Sequence, residues 1–149
     1  MSIRPPDYDR AVQELTPLLR GFPGKIVGID GRDGSGKTTL GRFLAWHFDV
    51  TLIETDPFRE EGQHVVYRTG EIDRIITHRL SRPRPVIVEG FELLRLFGKL
   101  HRSPDFLIYI RNTGRDGSHA LSGAISQYEV EFGPEKRANL VLKFQVDDG

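Results

Sequence analysis

Residues 28–40 read GIDGRDGSGKTTL, with four glycines, one lysine and two adjacent threonines between two apolar segments. Each glycine gives up side-chain burial and costs backbone entropy on folding, so a chain keeps several together only where the backbone must curl tightly or approach a ligand. Upstream, residues 25–30 form a short β-branched run that reads as a buried strand. Downstream, Leu40, Phe43, Leu44 and Phe48 recur at helical spacing, which predicts a helix over 37–48. Residues 31–38 satisfy G-x-x-x-x-G-K-[ST] between that strand and that helix. In such a loop successive N–H groups turn inward around a phosphate, and the helix start adds unpaired amides and a positive dipole end. The expected nucleotide-binding residues are Gly31, Asp33, Gly34, Ser35, Gly36, Lys37, Thr38 and Thr39. Lys37 reaches for the β- and γ-phosphates, and the Thr38 hydroxyl is placed to ligate Mg²⁺, so the implied cofactors are ATP or GTP with Mg²⁺.

The rest of the chain alternates the same two patterns. Apolar positions predict helices over 7–20, 71–80, 91–100 and, more weakly, 119–131. Pro17 is expected to bend or shorten the first of them. Strands are expected at 50–54, 86–89, 106–110 and 139–146, and the polar segment 55–70 reads as an irregular functional loop. Strands alternating with amphipathic helices imply βαβ units, a parallel sheet and helices on both faces. Ligands in such sheets collect beyond the carboxyl ends of the strands, where Asp30, Asp56, Glu89 and Arg111 fall.

At 149 residues the chain is expected to form a single domain over 1–149, with an N-terminal helix in 1–22 and a lid region in 111–131. Lysine plus arginine balance aspartate plus glutamate, 21 each, so no global field draws in nucleic acid or an anionic membrane. Cysteine is absent, which excludes disulfides and thiolate metal sites, and the five histidines lack metal-ligand spacing. With no signal-like apolar segment at residues 1–10, a cytoplasmic location is expected. The expected partner is a small-molecule acceptor, with a homodimer also open. Trp46 reads as core or helix surface.

A phosphate-binding loop serves several chemistries. A GTPase would carry N-K-x-D, which Asn112-Thr113-Gly114-Arg115 does not satisfy, and D-x-x-G where this chain has Glu89-Gly90. A motor ATPase is expected to need more chain. The loop, Thr55-Asp56-Pro57-Phe58-Arg59, the strand end Val88-Glu89-Gly90, and Tyr128, Pro134 and Ala138-Asn139-Leu140-Val141 in that order together resemble the uridine kinase and phosphoribulokinase group of P-loop kinases, over roughly residues 25–145. The chain departs from that group in its short span between Asp56 and Glu89, in Arg59 where the group has a second aromatic, and in a thin arginine lid.

The resemblance implies a three-layer α/β/α fold around a five-stranded parallel sheet of order 2-3-1-4-5. It also implies an ATP-dependent kinase acting on a hydroxyl of a small metabolite, with nucleosides such as uridine leading. The rival expectation is a nucleotide-binding protein that couples ATP or GTP occupancy to a partner. Within the kinase reading Lys37, Asp56 and Arg115 are the catalytic candidates: Asp56 as base, which as an aspartate before proline is also a good turn residue, and Arg115 as a lid cation over the γ-phosphate, with Arg111 a weaker candidate. Thr38 and Glu89 are the Mg²⁺ candidates, Glu89 alternatively contacting the acceptor or an arginine. Asp30 divides evenly between ordering metal waters and capping the turn. Phe58, Arg59, Tyr67, Arg68 and Glu89 are the acceptor candidates, because aromatics stack on a base or sugar and arginines pair with a phosphate or carboxylate.

Overall fold

The computed structural model describes residues 6–21, 23–32, 35–60, 66–112 and 122–144. The elements run α1 (Pro6–Leu19), β1 (Ile26–Gly31), α2 (Lys37–Phe48), β2 (Thr51–Glu54), a 3-10 turn (Asp56–Phe58), β3 (Arg59–Glu60), β4 (Val66–Tyr67), α3 (Thr69–Ser81), β5 (Val86–Gly90), α4 (Leu93–Leu100), β6 (Phe106–Asn112), α5 (Ser122–Phe132), α6 (Pro134–Arg137) and β7 (Leu140–Phe144). Five strands form one sheet in the order β2-β5-β1-β6-β7, and every neighbouring pair is parallel.

Alternation along the strands divides the core in two. Ile26, Val86, Val88 and Leu107 face one side, where Ile72 and Ile76 of α3, Leu93 and Phe97 of α4 and Tyr128 of α5 cover them. Val27, Ile29, Ile87, Ile108, Ile110, Leu140 and Leu142 face the other, under Ala11 and Leu15 of α1 and Leu40 and Leu44 of α2. The period-two register thus hands each face its own helices, giving three layers. Among the described residues no helix is long and apolar enough to cross a membrane.

The structure corrects some of the sequence expectations and decides others. The strand numbering differs from the expected 2-3-1-4-5 because 55–70 is not irregular throughout: β3 and β4 lie in it and pair antiparallel with each other outside the main sheet. Helix α3 begins at Thr69, inside the same segment. Pro17 lies in the last turn of α1, which ends at Leu19. Helix α5 is described over Ser122–Phe132, with the expected start at 119 lying outside the described residues, and α6 is an additional short helix with Pro134 in its first turn. Trp46 stands 76% exposed on α2 and belongs to the helix surface.

Candidate active site

Strand β1 delivers its last residues into the glycine loop. Gly31 sits where a Cβ would come within 2.7 Å of the Ile110 carbonyl and 2.8 Å of Ser35 Oγ, so only glycine lets β6 and the loop close this tightly. Gly36 takes φ of +99° as it caps α2, a backbone that side chains other than glycine resist. Among the described residues no side chain caps α2 and no acidic side chain occupies its first turn, where amide N–H groups and the positive dipole end suit an anion. Asp33, Gly34 and Arg115 lie outside the described residues.

Lys37 is only 7% exposed. Its Nζ donates to the Arg32 carbonyl at 2.8 Å and sits 4.3 Å from the centre of the Phe91 ring. The ammonium therefore already spans the loop. One turn face further, Thr38 Oγ1 donates to Glu89 Oε1 at 3.1 Å. Thr39 is exposed, and Ser35 is buried with a hydroxyl that has no hydrogen-bond partner among the described residues.

Glu89, at the end of β5, is buried, and burial raises its pKa above the ordinary carboxylate value. Lys37 and the Thr38 hydroxyl pull it down, whereas the charges of Asp56 and Glu54 push it up. A divalent cation beside Thr38 would relieve that repulsion. Among the described residues no group of three or more acidic or histidine side chains forms a protein-only cage. A carboxylate beside a hydroxyl is a donor pair that suits Mg²⁺, which keeps waters and binds through one or two protein oxygens plus phosphates.

Asp56 opens the 3-10 turn after β2 and is exposed. The turn is pinned on both sides. Thr55 N–H donates to the Glu89 carbonyl at 3.0 Å, and Arg68 N–H donates to the Phe58 carbonyl at 2.7 Å. The Arg68 guanidinium adds a bond to the Pro57 carbonyl at 2.6 Å and pairs with Glu71. Of the other acceptor candidates, Phe58 packs against the core, and the Tyr67 hydroxyl donates to the Phe91 carbonyl at 2.9 Å. The Arg59 guanidinium lies 5.6 Å from the Phe91 ring centre. Arg111 is 3.8 Å from Glu135 and, with Arg32, lines a cleft of about 1030 Å³ between β6, α5 and α6.

A second polar cluster holds the loop from behind. Asp30 is 1% exposed; it accepts from Gly31 N–H and from the Tyr128 hydroxyl, which itself accepts from Leu94 N–H. Beside it Arg32 makes a two-pronged bond to Glu129, which also accepts from the Tyr109 hydroxyl at 2.6 Å. Burial works against the Glu129 charge, but Arg32 and Tyr109 outweigh it and its pKa falls. Sequence reasoning did not single out Tyr109 or Glu129. The available signal was Tyr109 itself, a polar-tipped side chain at the carboxyl end of the otherwise apolar run FLIYI.

Burial raises the Asp30 pKa from 3.8 to about 6, against the opposing pull of Tyr128, Gly31 and Lys37. A carboxyl whose pKa is raised by folding is protonated more readily in the native chain, so native stability falls as pH rises between those two values. At 1.36 kcal/mol per unit the shift corresponds to about 3 kcal/mol. Asp30→Asn, neutral at every pH, is expected to match wild type in urea unfolding near pH 4 and to become the more stable protein above pH 7. A gap that does not change with pH would show that Asp30 is not buried as a charge.

A parallel sheet with a glycine loop between β1 and α2 and an ammonium lying across it defines the class of P-loop nucleotide-binding folds. Within it, the fold is similar to those of two solved kinase structures. The solved structure of a possible uridine kinase from Bacillus stearothermophilus superposes with a TM-score of 0.63 at 15% identity, covering 91% of this chain and 97% of that one. A sugar kinase from Janibacter sp. HTCC2649 superposes with a TM-score of 0.54 at 15% identity, covering 84% and 86% of the two chains. In sequence, 92 residues are 28% identical to the cyclolysin secretion/processing ATP-binding protein CyaB of Bordetella pertussis, a match that takes in 54% of this chain and 13% of that protein. The chain thus spans a small fraction of that curated relative. No family model matches the chain.

Proposed function

We propose that the chain is an ATP-dependent kinase that passes the γ-phosphate to a hydroxyl of a small metabolite. One observation carries the reading: Lys37, Thr38 and Glu89 meet at the ends of β1 and β5, and Asp56 is close enough for its charge to raise the Glu89 pKa. Phosphate cradle, metal-side carboxylate and exposed acceptor-side carboxylate are the groups that phosphoryl transfer to an alcohol requires.

The loop amides and Lys37 hold the triphosphate, with Lys37 exchanging the Arg32 carbonyl for phosphate oxygens. Thr38 and Glu89 would hold Mg²⁺, which would supply positive charge to offset that of the phosphates. Asp56 accepts the proton of the acceptor hydroxyl as that oxygen bonds to the γ-phosphorus and the bond to the ADP oxygen breaks. Arg115 is assigned the lid role over the γ-phosphate. Nucleosides are the leading acceptor class, because of the motif resemblance and because a possible uridine kinase shares the fold over nearly its whole length; the sugar kinase neighbour adds sugars.

ADP release from Mg·ATP, measured across nucleosides, sugars and their acids and phosphates, tests the reading. One class should raise turnover to on the order of 1–100 per second, the ordinary range of kinases. If Mg·ATP binds and no acceptor raises ADP release above background, the kinase reading fails. The second reading, nucleotide occupancy coupled to a partner, then stands; the local identity with an ATP-binding secretion protein favours it.

A further inference from the structure

We infer that Arg59 recognises an anionic group on the acceptor, so that the metabolite phosphorylated here carries a phosphate or carboxylate in addition to its reacting hydroxyl. The inference rests on the kinase reading and narrows it, setting neutral nucleosides aside.

Position comes first. Arg59 follows the turn that carries Asp56 and pairs with Tyr67 in the β3–β4 hairpin. Tyr67 moors that hairpin through its hydroxyl on the Phe91 carbonyl. The Arg59 guanidinium and the Lys37 ammonium then share one ring, at 5.6 Å and 4.3 Å from the centre of Phe91. Lys37 reaches that ring from the glycine loop, and Arg59 reaches it from the Asp56 segment. In the kinase reading Lys37 then serves the phosphate side and Arg59 the acceptor side.

Hydrogen bonding comes second. Arg59 Nη1 is buried and has no hydrogen-bond partner among the described residues. Other guanidinium groups each have a carboxylate: Arg32 has Glu129, Arg68 has Glu71, Arg95 has Glu131 although its Nε is also without a hydrogen bond, and Arg102 has Asp73. The Phe91 ring attracts the Arg59 charge but offers no lone pair to its N–H groups. A buried donor left unmade costs about 1–3 kcal/mol, more when charged. The partner that fits a planar fork of N–H donors is a carboxylate or a phosphate, bound through two oxygens. In the kinase reading the triphosphate takes Lys37 and the α2 amides on the loop side, which leaves Arg59 to the acceptor.

Paired probes that differ only in the acid group test this: ribose against ribose 5-phosphate, and glycerol against glycerate. Binding to the protein loaded with a non-hydrolysable ATP analogue and Mg²⁺ is measured alongside ADP release with ATP. In at least one pair the anionic member should bind about ten-fold or more tighter than its neutral twin. The phosphate and carboxylate pairs separately identify which anion is read. Arg59→Ala should remove the preference by raising the acceptor Kd or KM at nearly constant kcat and unchanged ATP affinity. Arg59→Lys should restore part of it, and thermal unfolding of both variants checks that they fold. Equal binding of the twins, no binding of any probe, a preference that survives Arg59→Ala, or a fall in kcat at constant acceptor KM overturns the inference. Discrimination in binding without ADP release upholds Arg59 and defeats the kinase reading instead.

Discussion

Asp56→Asn is expected to lower turnover by about 10²–10⁴-fold, the contribution of a well-placed general base, while ATP affinity stays near wild type. The separation follows from how the turn is held. Asp56 is exposed, and its position is set by backbone bonds from Thr55 to the Glu89 carbonyl and from Arg68 to the Phe58 carbonyl, none of which uses the carboxylate. Asparagine is nearly isosteric and also suits the start of a turn, so the 3-10 segment and its distance from the loop persist. The variant loses only the ability to take a proton. It also removes a charge that raises the Glu89 pKa, so Glu89 should be ionised to lower pH and Mg²⁺ should bind slightly better. Steady-state kinetics at several Mg²⁺ concentrations, with ATP affinity measured separately, check both effects. A variant that keeps the wild-type kcat removes Asp56 from the mechanism.

The parts of this molecule that the sequence discloses are those where local chemistry and tertiary demand coincide. Helix α2 spans Lys37–Phe48 as its apolar spacing and the preceding glycine loop both require. Lys37, Thr38, Asp56 and Glu89 reach one sheet edge because each follows or closes a strand whose apolar run is plain. Where the determinants are distant, the sequence is silent. Strands β3 and β4 have two residues each, too short for alternation to register, and their support comes from Arg68 and from the Phe91 carbonyl. The Asp30–Tyr128 bond joins residues 98 apart, so the sequence leaves Asp30 divided between ordering metal waters and capping the turn. Glu129 similarly reads as one more acid on a helix until Arg32 and Tyr109 close on it.

That rear cluster gives the loop a rigid seat, which bears on Lys37. Its ammonium is buried, bonded to the Arg32 carbonyl and set over the Phe91 ring, so little rotamer freedom remains to be lost on gripping a phosphate. Arg32 is itself fixed by Glu129. Lys37→Ala removes a charge-assisted donor and should weaken ATP binding by about 1.5–3 kcal/mol, roughly 10–150-fold. Turnover should fall further, by about 10²–10³-fold, if Lys37 also stabilises charge on the transferring group. The same substitution has a signature that simple loss of packing lacks. Lys37 holds the Glu89 pKa down, so without it that pKa rises and the acid limb of residual activity should move to higher pH. Titration with ATP, together with a pH profile of the variant, measures both. Unchanged affinity, or weaker binding with an unshifted acid limb, would show that the ammonium is not seated between the phosphates and Glu89.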